Sequence, residues 1–226
     1  MSRRYLHPNL PGPGEQVELD APTSHHVLRV CRLPRGHTLS LFDGEGRETQ
    51  ARLVDVRGGR AIVEALEAAR TETQPHRLIL LIAICKGPAF ERILRMATEL
   101  GVTSLLPVYT ARAVPRGAHG ERWDRILVSA AAQCGRPDLP DLEEARLLSQ
   151  ALALPHLPAC RRVLIPGAVH TPCPDDDRAL LVGPEGGLTE DEVRSATEAG
   201  FLPAGLARWT LRADTAVAAA LARYGG

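Results

Sequence analysis

Hydrophobic and polar residues follow two different patterns along the chain. Between residues 16 and 66, short apolar runs are broken by Asp43-Gly44 and Gly58-Gly59, which is typical of β-hairpins. The pattern predicts strands at residues 38–42, 48–56 and 60–66. We therefore expect a small β-barrel here, with Ser24 capping a short helix inserted among the strands.

The pattern changes after residues 68–76, a polar segment that we interpret as a linker. From Arg77 onward, continuous apolar runs alternate with amphipathic stretches, as in a parallel sheet covered by helices on both faces. The predicted strands are residues 78–85, 104–109, 162–165, 179–183 and 207–211. The predicted helices are residues 90–100, 121–134, 189–199 and 213–224. The second half is therefore expected to be an α/β domain.

Composition is that of an ordinary folded protein, with 44% hydrophobic and 24% charged residues. No apolar run approaches the roughly 20 residues of a bilayer-spanning helix, and the first residues lack the apolar stretch of a signal peptide. We therefore expect a soluble, cytoplasmic protein without a membrane partner.

The five cysteines indicate neither a disulfide framework nor a zinc site, because their number is odd and none forms a Cys-x-x-Cys pair. We expect free thiols, mostly buried as small hydrophobic residues, in a reducing compartment. No metal site is predicted, since His25 and His26 have no third candidate ligand spaced near them.

Charges cancel over the whole chain, with 27 Lys and Arg against 27 Asp and Glu, but they are unevenly distributed. Residues 86–136 hold eight basic against four acidic residues, a net charge of +4, whereas residues 137–226 hold eight against thirteen, a net charge of −5. A basic central segment fits a nucleic-acid partner, and it fits solvated helix faces equally well.

A glycine-rich turn joins a predicted strand to a predicted helix at Gly183-Pro184-Glu185-Gly186-Gly187. Glycines let a backbone approach a ligand closely, and such turns lie at the carboxyl ends of parallel strands, where α/β proteins bind ligands. The spacing is neither GxGxxG nor GxxxxGK[ST], so it favours neither a classical dinucleotide site nor a nucleotide triphosphatase. A purely structural turn is the alternative.

A second predicted strand-to-helix junction reads Leu211-Arg212-Ala213-Asp214-Thr215, in which Asp214 and Thr215 suit a helix N-cap. Together, GPEGG and LRADTA resemble the cofactor loops of the RsmE family of SPOUT RNA methyltransferases. The segments LFDG at 41–44, ELGV at 99–102 and AAQCGRPDLP at 131–140 resemble the same family, so the resemblance spans nearly the whole chain. The sequence departs from the family at Ala132, Ala207 and Asp214, where Glu, Gly and Glu are frequent.

The resemblance implies a PUA-like RNA-binding β-barrel at residues 1–70, followed by a SPOUT α/β methyltransferase domain with a trefoil knot at residues 71–226. It implies an obligate homodimer that uses S-adenosylmethionine to methylate N3 of a uridine in small-subunit ribosomal RNA. The implied cofactor contacts are Ile165, Pro166, Gly183, Pro184, Glu185, Gly186, Gly187, Leu211, Arg212 and Thr215. The alternatives are a SPOUT enzyme for another base or a ribose, and a noncatalytic RNA-binding ribosome-assembly factor.

Uridine N3 carries a proton at neutral pH, so the implied reaction needs positive charge or hydrogen-bond donors near the uracil carbonyl oxygens. Three candidates match basic positions of the family: Lys86, Arg112 and Arg136. Lys86, the only lysine of the chain, could instead be a solvated strand-end residue, and either arginine could form a structural bridge, for instance to Asp138. In the first domain, the candidates for RNA phosphate contacts are Arg4, His25, Arg29 and Arg32.

Overall fold

The structure, a computed structural model, describes residues 3–113, 120–169, 172–173 and 177–225. The chain forms two compact units, one made of Met1–Thr73 with Ala131–Leu139, the other of Gln74–Ala130 with Pro140–Gly226. The grouping of residues 131–139 with the first unit was not expected from the sequence. The assignment of residues 1–70 and 71–226 to two functional domains stays a prediction.

The first unit is built on a sheet in which six described strands pair mostly antiparallel. They are β1 Arg4–Leu6, β2 Gln16–Glu18, β3 Thr38–Phe42, β4 Arg47–Arg57, β5 Arg60–Ala65 and β6 Arg70–Thr71. Their order is β1-β3-β4-β5-β2, and β6 pairs with β4. The three strands predicted between residues 38 and 66 are thus confirmed, whereas closure into a barrel stays a prediction.

Alternate residues of the central strands form the core of this unit. Leu39 and Leu41 of β3 are buried together with Leu53 of β4 and Val63 of β5. Side chains two positions apart on a strand point to the same face, so these residues lie on one side of the sheet. Val27, from the segment inserted between β2 and β3, is buried in the same core.

The inserted helix starts earlier than the sequence suggested. α1 Ala21–His25 has Asp20 as its N-cap, whose Oδ1 accepts a hydrogen bond from Thr23 N at 2.7 Å, and it continues into a π-helical turn at His26–Val30. Ser24 is buried inside α1, where its hydroxyl donates to Leu19 O at 2.9 Å and accepts from Ala61 N at 3.0 Å. The prediction of Ser24 as the cap was wrong, because its hydroxyl binds backbone groups outside the helix.

Asp43 organises the turn between β3 and β4. Its Oδ1 accepts hydrogen bonds from Glu45 N at 2.8 Å and Arg47 N at 2.9 Å, and its Oδ2 accepts one from Arg47 Nε at 2.6 Å. Burial raises the pKa of Asp43, but these hydrogen bonds outweigh burial and hold the pKa below its ordinary value. The carboxylate is therefore a buried charge at the centre of the turn.

Residues 131–139 complete that turn. Gly46 N donates to Pro137 O at 3.3 Å, and Leu139 N donates to Gly44 O at 2.8 Å. Two isolated bridges also join Gly44 and Glu45 to Asp138. The turn of the first sheet thus has backbone partners far along the chain.

The second unit has seven described strands in one parallel sheet. They are β7 Leu78–Ala83, β8 Ser104–Tyr109, β9 Asp141–Leu142, β10 Arg146–Leu147, β11 Cys160–Leu164, β12 Arg178–Val182 and β13 Leu202–Ala204. The order is β10-β8-β7-β12-β11-β13, with β9 paired to β8. The described helices that follow β7 are α2 Gly87–Glu99, α3 Gly120–Cys134, α4 Leu148–Leu152, α5 Glu190–Glu198 and α6 Ala213–Tyr224. Residues 131–134 of α3 are grouped with the first unit.

Both faces of this sheet are buried, as predicted. Leu80 of β7 belongs to one apolar cluster with Ile93 of α2 and Val217 of α6. Leu81, the next residue, belongs to a second cluster with Ala196 of α5. The predicted α/β fold is therefore confirmed, and the trefoil knot stays a prediction. No helix among the described residues is long and apolar enough to cross a bilayer.

Two further expectations about the fold are wrong. Residues 207–211, which were predicted to be a strand, form an irregular segment. The last strand is β13, and the strand that it pairs with, β11, ends at Leu164, too early to pair with residues 207–211.

Cys160 and Cys173 form a disulfide with their Cα atoms 6.0 Å apart, whereas all five cysteines were expected to be free. Their separation of 13 residues carried no recognisable signal in the sequence.

Candidate functional site

Three loops at the carboxyl ends of adjacent strands surround a cavity of about 290 Å³. The first loop follows β11, the second is residues 183–188 after β12, and the third is residues 206–211 after β13. This is the edge of a parallel sheet at which α/β proteins bind ligands.

Most of the predicted cofactor residues line this cavity. They are Ile165, Pro166, Gly183, Pro184, Glu185, Gly186, Gly187 and Leu211. Two others, Arg212 and Thr215, are not among its lining residues, whereas Ala213 and Ala216 of α6 are. Trp209 also lines the cavity and is 71% exposed. Sequence reasoning missed Trp209 because it assigned residues 207–211 to a strand.

Close packing favours glycine at Gly183, and backbone conformation favours it at Gly187. A Cβ at Gly183 would lie 3.0 Å from Leu188 Cγ, which is a tight contact, whereas one at Gly186 would lie 3.4 Å from Arg112 Cδ, which is an ordinary van der Waals contact. Gly187 has a φ of +71°, which favours glycine, and its N–H donates to Pro184 O at 2.8 Å. The loop is therefore a tight turn that also accommodates the side chain of Arg112.

Backbone contacts at Gly205 hold the third loop against the first. A Cβ at Gly205 would lie 1.8 Å from Ala168 O, closer than any side chain allows. Gly205 N donates to Val169 O at 3.2 Å, and Ile165 N donates to Ala204 O at 3.1 Å. This close approach depends on glycine.

Asp214 connects two helices instead of capping one. The N-cap of α6 is Arg212, which makes no side-chain capping bond, so the expected caps Asp214 and Thr215 are wrong. Asp214 Oδ2 accepts a hydrogen bond from Arg92 Nε of α2 at 2.9 Å. The Arg92 guanidinium, together with a bond from Thr215 N, holds the pKa of Asp214 below its ordinary value.

Cys85 follows β7, and burial and the charge of Glu185 in the glycine-rich loop affect the pKa of its thiol. Burial raises the pKa of the Cys85 thiol to about 12, and the negative charge of Glu185 adds to the shift. At neutral pH the thiol is therefore protonated and is not a nucleophile. Glu185 itself is exposed and is one of the residues that line the cavity.

Two of the three predicted catalytic residues lie at the edge of the sheet that carries the cavity. Arg112 follows β8, and its Nη1 donates to Gly186 O at 2.8 Å. Lys86 follows β7 as the N-cap of α2, and it is exposed. In the sheet, β7 lies between β8 and β12, the strand that leads into the glycine-rich loop.

Arg136, the third predicted catalytic residue, belongs to the first unit. Its side chain is 6% exposed, and Nη2 pairs with Asp138 Oδ2 at 2.6 Å. This geometry favours the alternative of a structural salt bridge.

The four predicted RNA contacts differ in exposure. Arg4 is 11% exposed in its side chain and pairs with Glu48 at 2.6 Å, which favours a structural role. His25, Arg29 and Arg32 are exposed, and they lie on or directly after the α1 segment with its π-helical turn. The first unit thus presents three of the four side chains to solvent.

Comparison with known proteins identifies the family. Residues 72–225 match the RNA methyltransferase domain. Ribosomal RNA small subunit methyltransferase E of Synechocystis is 33% identical over 92% of this chain and 72% of its own length. The protein of the same name from Mycobacterium tuberculosis is 30% identical over 96% of this chain and 88% of its own length.

Solved structures agree. Ribosomal RNA small subunit methyltransferase E from Neisseria gonorrhoeae, bound to S-adenosyl methionine, superposes with a TM-score of 0.90 at 31% identity, covering 98% of this chain and 96% of the other. A putative methyltransferase from Legionella pneumophila with bound SAM gives 0.89 at 29% identity, with the same coverage of 98% and 96%. Sequence relatives and structural neighbours thus extend over both units, and the chain belongs to the RsmE family, ribosomal RNA small subunit methyltransferase E.

Proposed function

We propose that this chain binds S-adenosylmethionine in the three-loop cavity and transfers its methyl group to N3 of a uridine in small-subunit ribosomal RNA. The observation that carries the proposal is the cavity itself, formed by the GPEGG loop and its two neighbours at the carboxyl edge of the parallel sheet. The bound cofactor of the Neisseria gonorrhoeae relative and the names of the sequence relatives support it.

The residues around the cavity suit this cofactor. Leu164, Val182 and Leu206 provide apolar wall for an adenine ring, and the loop backbones provide polar groups for its edge. S-adenosylmethionine carries positive charge on its sulfonium and ammonium groups, which the carboxylate of Glu185 complements. The absence of a Cβ at Gly205 lets the backbones of the first and third loops approach each other closely.

S-adenosylmethionine, when bound, would supply an electrophilic methyl group and leave as S-adenosylhomocysteine, so the protein has to position the uridine and favour release of the N3 proton to water. Negative charge then develops on the uracil carbonyl oxygens. Arg112 stabilises this charge through its guanidinium, which the bond to Gly186 O orients beside the cofactor loop. Lys86 contributes a second positive charge from the end of β7.

RNA binding by the first unit and homodimer formation belong to the same proposal. His25, Arg29 and Arg32 are exposed on one short segment, where they can contact phosphates without base specificity. Small residues along α6 that do not line the cavity, such as Ala219 and Ala222, allow close packing of a second copy. Light scattering on the purified protein should give twice the monomer mass, and a monomer at micromolar concentration contradicts the dimer.

The direct test is transfer of labelled methyl from S-adenosylmethionine to small ribosomal subunits that lack the native modification, followed by nucleoside analysis. Label in 3-methyluridine supports the proposal. Label in another nucleoside retains an RNA methyltransferase and overturns the target. Cofactor binding without transfer to any RNA favours a noncatalytic factor.

Variants assign the roles within that reaction. R112A and K86A should lower kcat, and R194A is a matched control because Arg194 is exposed on α5 and pairs with Asp191 of the same helix. Full activity of R112A would remove Arg112 from the catalytic machinery.

A further inference from the structure

We propose that Glu192 is a positioning residue that fixes the segment carrying Arg112 to the glycine-rich cofactor loop. The inference rests on the proposed function for its catalytic consequence. Its structural part concerns contacts within the second unit alone and can be tested without any methyl transfer.

Glu192 uses its two carboxylate oxygens for two different parts of the chain. Oε2 accepts a hydrogen bond from Thr189 N at 2.8 Å, at the end of the glycine-rich loop. Oε1 accepts one from Ala111 N at 2.7 Å, in the segment after β8. Both donors are backbone N–H groups, and bonds from such groups to a carboxylate are stronger than bonds between neutral partners.

The contact with Ala111 exceeds what a helix cap requires. In a capping box, the residue at the third helical position returns to the backbone N–H of the N-cap, and the N-cap side chain accepts from the third residue. Here Thr189 Oγ1 accepts from Glu192 N at 3.2 Å, and Glu192 Oε2 completes the box. The remaining oxygen connects α5 to a segment 81 residues away in the sequence.

The bond spans the edge of the sheet. Ala111 follows β8, and Glu192 lies in α5, which follows β12 and the glycine-rich loop. β7, which leads to Lys86, lies between β8 and β12. The carboxylate thus ties together segments that flank the end of β7.

The side chain of Arg112 provides a second contact between this segment and the glycine-rich loop. Arg112 directly follows Ala111, and its Nη1 donates to Gly186 O at 2.8 Å. The Arg112 segment is therefore attached to the cofactor loop twice, through its backbone by Glu192 and through its side chain by Gly186. Loss of the backbone attachment frees the guanidinium to move relative to the cofactor loop, and a misplacement of roughly 1 Å can cost about 100-fold in rate.

Thr189 provides a matched control. T189A removes one capping hydrogen bond of α5 but leaves both acceptor oxygens of Glu192 in place. E192A removes the bonds to Thr189 N and Ala111 N together. E192Q keeps one acceptor oxygen and should fall between the two, since its amide nitrogen cannot accept an N–H.

The structural part is tested by amide hydrogen exchange of peptides that contain Ala111. E192A should raise the exchange of this segment over that of the unmodified chain, and T189A should leave it unchanged. Unchanged exchange in E192A, or an equal rise in T189A, overturns the inference. This measurement gives its answer even if the unmodified protein methylates no RNA, in which case only the proposed function has failed.

The catalytic part is tested by a double-mutant cycle on methyl transfer. E192A should lower kcat about 10- to 100-fold, and it should weaken S-adenosylmethionine binding no more than T189A does. If Glu192 acts through Arg112, E192A should have little further effect in an R112A background, whereas T189A should have the same effect in both backgrounds. If the fall in kcat of the E192A/R112A double variant equals the product of the two single falls, the positioning role is overturned.

Discussion

Cys85 and Cys134 are both free thiols with opposite surroundings. Cys134 is exposed, whereas Cys85 is 3% exposed and burial raises its pKa to about 12. At about pH 8, iodoacetamide should modify Cys134 and leave Cys85 protonated and unmodified, because the thiolate is the nucleophile. Mass spectrometry of the digested protein checks this, with urea-unfolded protein as the control. Equal modification of both cysteines in the folded protein would contradict the burial of Cys85.

The same shift has a consequence for stability. The folded pKa of Cys85 lies above the ordinary value, so the folded state holds the proton more tightly than the unfolded state does. The contribution of Cys85 is therefore fully present at neutral pH and is lost as the pH rises towards about 12. Urea unfolding should show a smaller alkaline loss of stability for C85A than for the unmodified protein.

Trp209 should report cofactor binding, because it lines the cavity with an exposed ring. The chain has two tryptophans, and the other, Trp123, packs on Phe90 with the ring centroids 4.6 Å apart. S-adenosylmethionine should change the fluorescence of a W123F variant and leave that of a W209F variant nearly constant. A response carried by Trp123 instead would place the ligand outside the three-loop cavity.

For single residues, the sequence predicted where a residue lies in the fold better than it predicted which groups its side chain binds. Gly183 and Gly187 were predicted at the ligand loop because glycine has few uses other than turns and close approaches. Ser24 and Asp214 were predicted as caps because of their chemistry, but each binds a group brought close by the fold, Ala61 N and Arg92 respectively. The disulfide and the Glu192 bond to Ala111 were missed for the same reason, since hydrogen-bond and sulfur partners distant in sequence leave no local pattern.

The close contact of Gly205 with the first loop should affect cofactor binding. G205A should weaken S-adenosylmethionine binding by at least tenfold, because the added methyl group meets Ala168 O and must separate the first and third loops. Isothermal titration calorimetry measures the affinity. G120A is the matched control, since a Cβ at Gly120 meets no atom within 4 Å. Equal affinities of the two variants would mean that the contact at Gly205 does not shape the cavity.

The β3–β4 turn makes a second prediction at this scale. D43A should lower the free energy of unfolding by about 2 kcal/mol, because two backbone N–H groups and Arg47 lose a buried charged acceptor. D43N keeps an oxygen for the N–H groups and should lose less. Urea unfolding followed by circular dichroism measures both, and equal stability of D43A and the unmodified protein would be the contrary result.

The acid dependence of this turn has a definite sign. The pKa of Asp43 is held below its ordinary value in the folded state, so its contribution is present above the ordinary carboxyl pKa and is lost as the pH falls through the lowered value. D43N lacks this contribution and should therefore lose less stability between neutral and acid pH.

Elements with a long, regular pattern were predicted closely. β8 and α6 were predicted with the bounds that the structure gives, because six or more residues of consistent periodicity define their buried face. Two-residue strands such as β9 and β10 have no periodicity, and their existence depends on pairing with a neighbour. Residues 207–211 read as a strand locally, yet β11 ends too early to pair with them.

For the whole molecule, the balance of 27 basic and 27 acidic residues means that RNA affinity depends on local groups of side chains. R29A with R32A should weaken binding to ribosomal RNA and lower the slope of log affinity against log salt by about 2, because each arginine neutralises roughly one phosphate. R70A, whose side chain is 71% exposed on β6, is the control. Filter binding at several salt concentrations measures the slope, and an unchanged slope would remove this segment from the RNA interface.

The first unit is discontinuous, and this affects how the chain is made. Residues 1–73 leave the ribosome while residues 131–139, which bond to Gly44 and Gly46, have not yet been translated. Much of the second unit's sequence lies between the two parts. During synthesis, the turn after Asp43 therefore lacks its partners from residues 131–139. The backbone hydrogen bonds of Gly44 and Gly46 with these residues can form only after residue 139 has left the ribosome.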